Sequence, residues 1–258
     1  MSKIKAALSS GKAFIPFITC GDPDLETTEA AVIEAEKNGA AMVALGIPFS
    51  DPTAEAPVIQ ASNIRALKGG VKTADILSLV KKLRAKTSIP MVFFAYANVV
   101  FSYGSEKFIS ACGEAGVDGL FVEDLPFEEK EEFLPFCEKY GVDLISAVAP
   151  TSGDRIPMIA ENAEGFLFVS ADIGETDRRI LHSGLEETVR TARKYTEIPC
   201  VVAGQSLSNM NSERLTEISD GVVVDSAIVE RLESYGKNAP KEIGLFIKEL
   251  STIHFKNE

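Results

Sequence analysis

Ser105–Pro126 reads SEKFISACGEAGVDGLFVEDLP. Its first half, Ser105–Ala115, has the spacing of an amphipathic helix, and Gly119–Asp124 (GLFVED) has the near-continuous apolar run of a strand covered on its outer face. Between them lies GVDG (116–119), and a similar element, AEGF (163–166), stands before a later apolar run. Working outward, strand-like runs occur at Phe14–Cys20, Met42–Ile47, Pro90–Tyr96, Gly119–Asp124, Leu144–Pro150, Gly165–Ser170, Pro199–Gly204 and Gly221–Val224. Helical segments fall at Leu25–Asn38, Val58–Leu67, Thr73–Lys86, Ser105–Ala115, Phe127–Tyr140, Arg155–Glu161, Gly184–Tyr195, Asn211–Glu217, Ser226–Glu233 and Lys241–Ser251. Eight strand–helix units without a charge-rich linker predict one domain over residues 1–258, a closed (β/α)8 barrel of the TIM type. An open doubly wound sheet is the alternative, and it lacks support because no GxGxxG fingerprint occurs.

The 258 residues are 45% hydrophobic and 25% charged, the composition of an ordinary folded protein with an ample core. Twenty-six basic against 38 acidic residues give a net charge of −12, which argues against nucleic acid and anionic membrane as partners. Cys20, Cys112, Cys137 and Cys200 form no CxxC pair and read as buried free thiols. With no signal-peptide pattern and no apolar run of membrane-spanning length, the expected location is cytoplasmic. His182 and His254 are the only histidines, and neither HxH nor HExxH occurs, so no metal site is expected. No GxSxG elbow supports a serine nucleophile. The charged run Glu128–Glu132 reads as a solvated face.

In such a barrel the chemistry sits at the carboxyl ends of the strands. The expected mouth includes Thr19–Pro23, Gly46–Glu55, Tyr96–Asn98, Glu123–Pro126, Ser170, the loop 171–183, Gly204–Ser206 and Asp225–Ala227. The loop after strand 2 is stiffened by Pro48 and Pro52 and ends in Glu55, a candidate general acid or base or a plain loop carboxylate. Gly204 and Ser226 suit a phosphate cradle at the ends of strands 7 and 8. Gln205 and Ser206 suit it less well, and an ionised Asp225 would repel a phosphate.

The stretch Leu45–Gln60, LGIPFSDPTAEAPVIQ, resembles the signature of the tryptophan synthase alpha subunit family. FIPFITCGDP (14–23), YANVVF (96–101), Asp124–Pro126 and DGVVVDSAIV (220–229) support the resemblance, in family order over nearly the whole chain. It implies a (β/α)8 barrel that cleaves indole-3-glycerol phosphate to indole and glyceraldehyde 3-phosphate by a retro-aldol reaction. It implies no cofactor in this chain and a pyridoxal-phosphate beta subunit as partner, in an alpha2beta2 assembly. Residue by residue it implies Glu55 as a catalytic carboxylate and Phe17, Thr19, Tyr96, Thr176 and Gln205 at the substrate. Gly174, Gly204, Ser206, Asp225 and Ser226 fall at the phosphate, and Pro48, Phe49, Ser50, Asp51, Pro52, Asn98, Phe101 and Pro126 at the partner face.

The chain departs from the family pattern at its chemistry. The position of the general acid–base glutamate is Ala44, the glycine after the second carboxylate is Ala56, and Gly-Phe-Gly is Gly204-Gln205-Ser206. Asp225 stands where glycine precedes the strand-8 serine, and Asp177 replaces a loop glycine. Ala44 carries no ionisable group, so turnover at least about 10²-fold below an intact family member is expected. Two readings stay open: a lyase with weakened chemistry, and a non-catalytic alpha-like subunit that binds and regulates a beta subunit.

Overall fold

The structure, a computed structural model, describes residues 2–9, 12–53, 55–170, 178–203 and 215–255. Eight parallel strands close on themselves in chain order: β1 Ala13–Thr19, β2 Val43–Gly46, β3 Met91–Ala95, β4 Gly119–Val122, β5 Asp143–Val148, β6 Leu167–Val169, β7 Cys200–Ala203 and β8 Gly221–Val224. Closure is direct, with Ala13 paired to Gly221 and Pro16 to Val224, which excludes the open sheet. The helices are α1 Lys3–Ala7, α2 Leu25–Lys37, α3 Pro57–Lys68, α4 Thr73–Arg84, α5 Ala97–Tyr103, α6 Ser105–Ala115, α7 Leu134–Tyr140, α8 Ile156–Glu161, α9 Arg178–Ala192, α10 Ser226–Tyr235 and α11 Ala239–Phe255. Residues 215–218 are also helical, while 211–214 of the expected Asn211–Glu217 segment lie outside the described residues. Among the described residues no helix is long and apolar enough to cross a membrane.

The short motif before the strands has a mechanical role. The carboxylate preceding each of three even-numbered strands accepts the N–H at the start of the neighbouring odd strand. Met91 N donates to Asp118 at 2.9 Å, Leu144 N to Glu164 at 3.2 Å and Cys200 N to Asp220 at 2.8 Å. Arg84 and Arg193 pair with Asp118 and Asp220, so two of these carboxylates also tie a helix to the barrel. The glycines that follow Asp118 and Asp220 make room for α1, which plugs the amino-terminal end of the barrel. A Cβ on Gly119 would lie 2.9 Å from Ile4 Cδ1, and one on Gly221 would lie 3.2 Å from Leu8 Cδ2.

Two elements go beyond the sequence expectation, α1 and α5, and one expected helix is divided. The charged segment Phe127–Tyr140 is a 3-10 turn, Phe127–Glu132, followed by α7, with the break at buried Phe133. Pro135 lies in the first turn of α7, where its missing N–H costs nothing, whereas within a continuous helix it would remove a bond and clash with the preceding turn. The expected Arg155–Glu161 helix likewise begins at Ile156, after a 3-10 turn over Pro150–Arg155.

The barrel is filled by side chains in layers. Neighbouring strands are staggered by about one residue along the axis in a barrel of this class. With the observed pairings, Ala44, Phe121, Phe168 and Val223 form one layer from the even strands. Phe17, Phe94, Ala147 and Ala203 form the next from the odd strands. The phenylalanine rings meet edge to face: Phe94–Phe121 at 5.0 Å, Phe94–Phe168 at 5.7 Å and Phe121–Phe168 at 5.1 Å. This aromatic floor is what the mouth of the barrel stands on.

Candidate active site

Strand alternation carries the inward face one step above the floor, to Gly46, Glu123, Ser170 and Asp225 on β2, β4, β6 and β8 or immediately after them. Glu123 and Asp225 therefore come from opposite sides of the ring. Gly46 contributes no side chain, and none would fit: a Cβ there would lie 2.5 Å from Phe17 Cζ, whose ring covers the backbone. Ala44 is 1% exposed, one layer below, and its methyl joins the apolar interior.

The loop after β2 is held by its own backbone and by α3. Asn63 on α3 accepts from Phe49 N at 2.9 Å, Glu55 N donates to Pro52 O at 3.2 Å, and Gln60 donates to Glu55 O at 2.9 Å. Phe49 stacks on Tyr96 at 4.9 Å, so the loop closes over the end of β3. Helix α3 is itself anchored by Arg65, which grips Asp22 with two bonds of 2.9 and 2.7 Å and reaches Glu233 on α10 at 2.9 Å. Thr19, buried at the end of β1, shares a 2.7 Å hydrogen bond with Ser62 of α3. Its hydroxyl thus joins strand to helix.

Glu55 is half-buried at the end of this loop. Burial first, and the like charge of Asp225 second, push its carboxyl up to about 7. Glu123 is pushed well above the carboxylate range, by burial and then by Glu55, Asp225 and Asp124. Asp225 is raised too, chiefly by burial, with Glu230 adding a like charge, although its hydrogen bonds pull the other way. The Asp225 carboxylate accepts from Ser226 N and caps α10. It occupies the helix N-terminus that would otherwise present an N–H to a bound anion.

The structure brings Phe17, Thr19, Ala44, Glu55, Tyr96, Asp225 and Ser226 to one end of the barrel. Gly174 and Thr176, and Gly204, Gln205 and Ser206, lie outside the described residues. Of the expected partner face, Ser50, Asp51, Asn98, Phe101 and Pro126 are exposed, Phe49 is half-buried under its stack, and Pro48 and Pro52 are buried. Phe101 is 52% exposed, its ring resting 5.1 Å from Phe133. All four cysteines are buried and free, with their thiols pushed up by desolvation. Among the described residues no group of His, Cys, Asp or Glu is arranged to hold a metal ion.

Glu123 is a mouth residue to which the sequence reading gave no role. The signal was available in FVED: if Phe121 points inward, Glu123 does as well.

A family model described as tryptophan synthase alpha chain matches residues 3–254. The tryptophan synthase alpha chain of Lacticaseibacillus casei is 40% identical over 251 residues, covering 97% of this chain and 94% of the relative. That of Alkaliphilus metalliredigens is 44% identical over 250 residues, covering 95% and 93%. A solved chain from Aquifex aeolicus superposes with a TM-score of 0.88 at 33% identity, over 97% of this chain and 98% of that one. A chain of the Pyrococcus furiosus tryptophan synthase complex gives 0.86 at 29%, over 94% and 98%. The sequence, the closed barrel and these likenesses agree, and the chain belongs to the tryptophan synthase alpha chain family.

Proposed function

We propose that this chain is a tryptophan synthase alpha-type lyase that cleaves indole-3-glycerol phosphate by retro-aldol chemistry, with a weakened hold on the phosphate. The observation that carries the proposal is Glu55, held at about 7 on a braced loop at the mouth of a barrel of this family. A carboxylate poised there accepts the indole N–H and stabilises the cation formed when the ring carbon is protonated. The Phe17–Phe94 floor and the Phe49–Tyr96 stack supply apolar surface for the indole ring. Proton transfer and carbon–carbon cleavage are the only events, so the reaction needs no cofactor in this chain.

Asp225 works against the phosphate, because its carboxylate already fills the α10 N-terminus. Ala44 supplies no proton, so turnover runs through other carboxylates of the mouth. The exposed Phe101, Pro126 and Asn98 beside the mouth suit a beta-type partner subunit in an alpha2beta2 assembly. The similar Pyrococcus furiosus chain was solved within a tryptophan synthase complex, which supports such a partner. The test is steady-state indole release with and without a beta subunit. Indole formation that the beta subunit accelerates is the expected result. No indole under either condition overturns the lyase assignment and leaves a non-catalytic docking subunit, which Ala44 favours.

A further inference from the structure

We propose that Glu123, at the carboxyl end of β4, is the residue that exchanges protons with the substrate in this site. The assignment rests on the retro-aldol reaction proposed above. Its ground is placement. Glu123 follows Phe121 by two residues and continues the inward face of β4 into the mouth, in the layer of Gly46, Ser170 and Asp225. The even strands β2 and β4 are two strand spacings apart, about 10 Å. Ala44 and Gly46 leave β2 without a polar arm on that side, and Glu123 enters the same space from β4.

Among the described residues, no hydrogen bond or ion pair gives the Glu123 side chain a structural duty. Its backbone N–H donates to Ala95 O at 2.9 Å, which any residue would do. Among the described residues, the charged groups acting on the carboxyl are all acidic: Glu55, Asp225 and Asp124. Asp124 is already committed, its carboxylate accepting from Ala97 N at 2.7 Å. A half-buried carboxyl among carboxylates weakens a fold. Perturbed groups of this kind concentrate where chemistry is done. Burial and like charges shift Glu123 toward its protonated form, while Glu55, near 7, is ionised in about half the molecules at neutral pH. One acid and one base therefore face the same space.

The step balances without any further reactant. The Glu123 carboxyl gives its proton to C3 of the indole ring, and the Glu55 carboxylate accepts a hydrogen bond from the ring N–H as positive charge develops there. The hydroxyl on the attached side-chain carbon then gives its proton to the Glu123 carboxylate. The O–H electron pair becomes the second bond of the new aldehyde carbonyl. The pair of the broken carbon–carbon bond returns to the ring and restores indole. Glu123 ends protonated, as it began.

The experiment measures kcat, KM and pH profiles for indole release in the presence of a beta subunit. The proteins are the wild type, Glu123→Gln, Glu123→Asp, Glu123→Gln combined with Ala44→Glu, and Asp225→Asn. Melting temperatures by circular dichroism confirm that each is folded. Glu123→Gln should lower kcat at least about 10²-fold with a much smaller change in KM. Glu123→Asp should keep part of the rate, and adding Ala44→Glu to the Gln variant should return part of it. The wild-type profile should rise as Glu55 ionises and fall as Glu123 ionises. Asp225→Asn removes a negative charge that acts on both groups, so both limbs should move to lower pH. If the wild type releases indole and Glu123→Gln matches its rate, the assignment falls and the lyase proposal stands; an unmoved alkaline limb in Asp225→Asn also overturns the assignment. A wild type that releases no indole overturns both. Should the Gln variant not fold, Glu123→Asp and the Asp225→Asn profile decide the matter alone.

Discussion

At Glu55, burial and the facing charge of Asp225 act in the same direction, and the sign of the result is testable. A carboxyl raised from 4.5 to about 7 on folding favours the folded state fully below about 4.5, and that contribution disappears as the pH rises through 7. At most it amounts to about 3 kcal/mol. Denaturant unfolding should therefore show the wild type losing stability between pH 5 and pH 8. Glu55→Gln should lose less over the same interval, and parallel curves would contradict the burial described for this residue. Asp225 offers a second test. Asp225→Gly frees the first N–H of α10 at a capping cost of only a few tenths of a kcal/mol. A helix N-terminus favours an anion by about 1 kcal/mol, so glycerol phosphate should bind about fivefold tighter by calorimetry. Ala44 and Asp225 draw notice in the sequence, because each departs from the motif that the resemblance implies. Glu123 was not, because its importance depends on which way one strand end points and on what stands across the ring.

Among the elements, α3 decides whether the mouth keeps its shape. It carries Ser62 and Asn63, which bond Thr19 and Phe49, and Glu55 precedes its first turn. Arg65 fixes it to Asp22, which is 1% exposed. Arg65→Ala leaves that carboxylate buried without its partner and should destabilise the protein by about 3 kcal/mol, read from the denaturant midpoint. A change under about 1 kcal/mol would mean that water reaches Asp22 readily. The strands and most helices could be read from apolar spacing, but α5 could not. YANVVF is aromatic and β-branched, and its N-terminus is capped by Asp124 from a different βα loop. A cap supplied by a distant segment leaves no local trace. The short α1 escaped because its stability comes from plugging the barrel rather than from its five residues.

For the whole molecule, eight alternations in about 250 residues were enough to indicate the barrel. Closure was part of that expectation, whereas the layers and the paired carboxylates at the strand starts came only with the register. The proposed partner face follows the same division: the resemblance suggested eight residues, and folding leaves five of them exposed, with Phe101 the largest apolar one. Phe101→Ala should weaken association with a beta subunit at least about tenfold in a titration, as truncation of a central aromatic contact does. The melting temperature of the isolated chain should change little, since half of the ring is already in solvent. Unchanged association would place the docking surface elsewhere on the barrel.

The stacked pair Phe49–Tyr96 has a spectroscopic consequence. The chain contains five tyrosines and no tryptophan, so its ultraviolet emission is tyrosine emission. One of the five emitters lines the mouth, where the proposed substrate and one product both carry an indole ring. Tyrosine emission overlaps indole absorption, and Tyr96 would pass its excitation to an indole held beside it. Occupancy could then be followed as loss of tyrosine light and gain of indole light, without a label and without a tryptophan background to subtract.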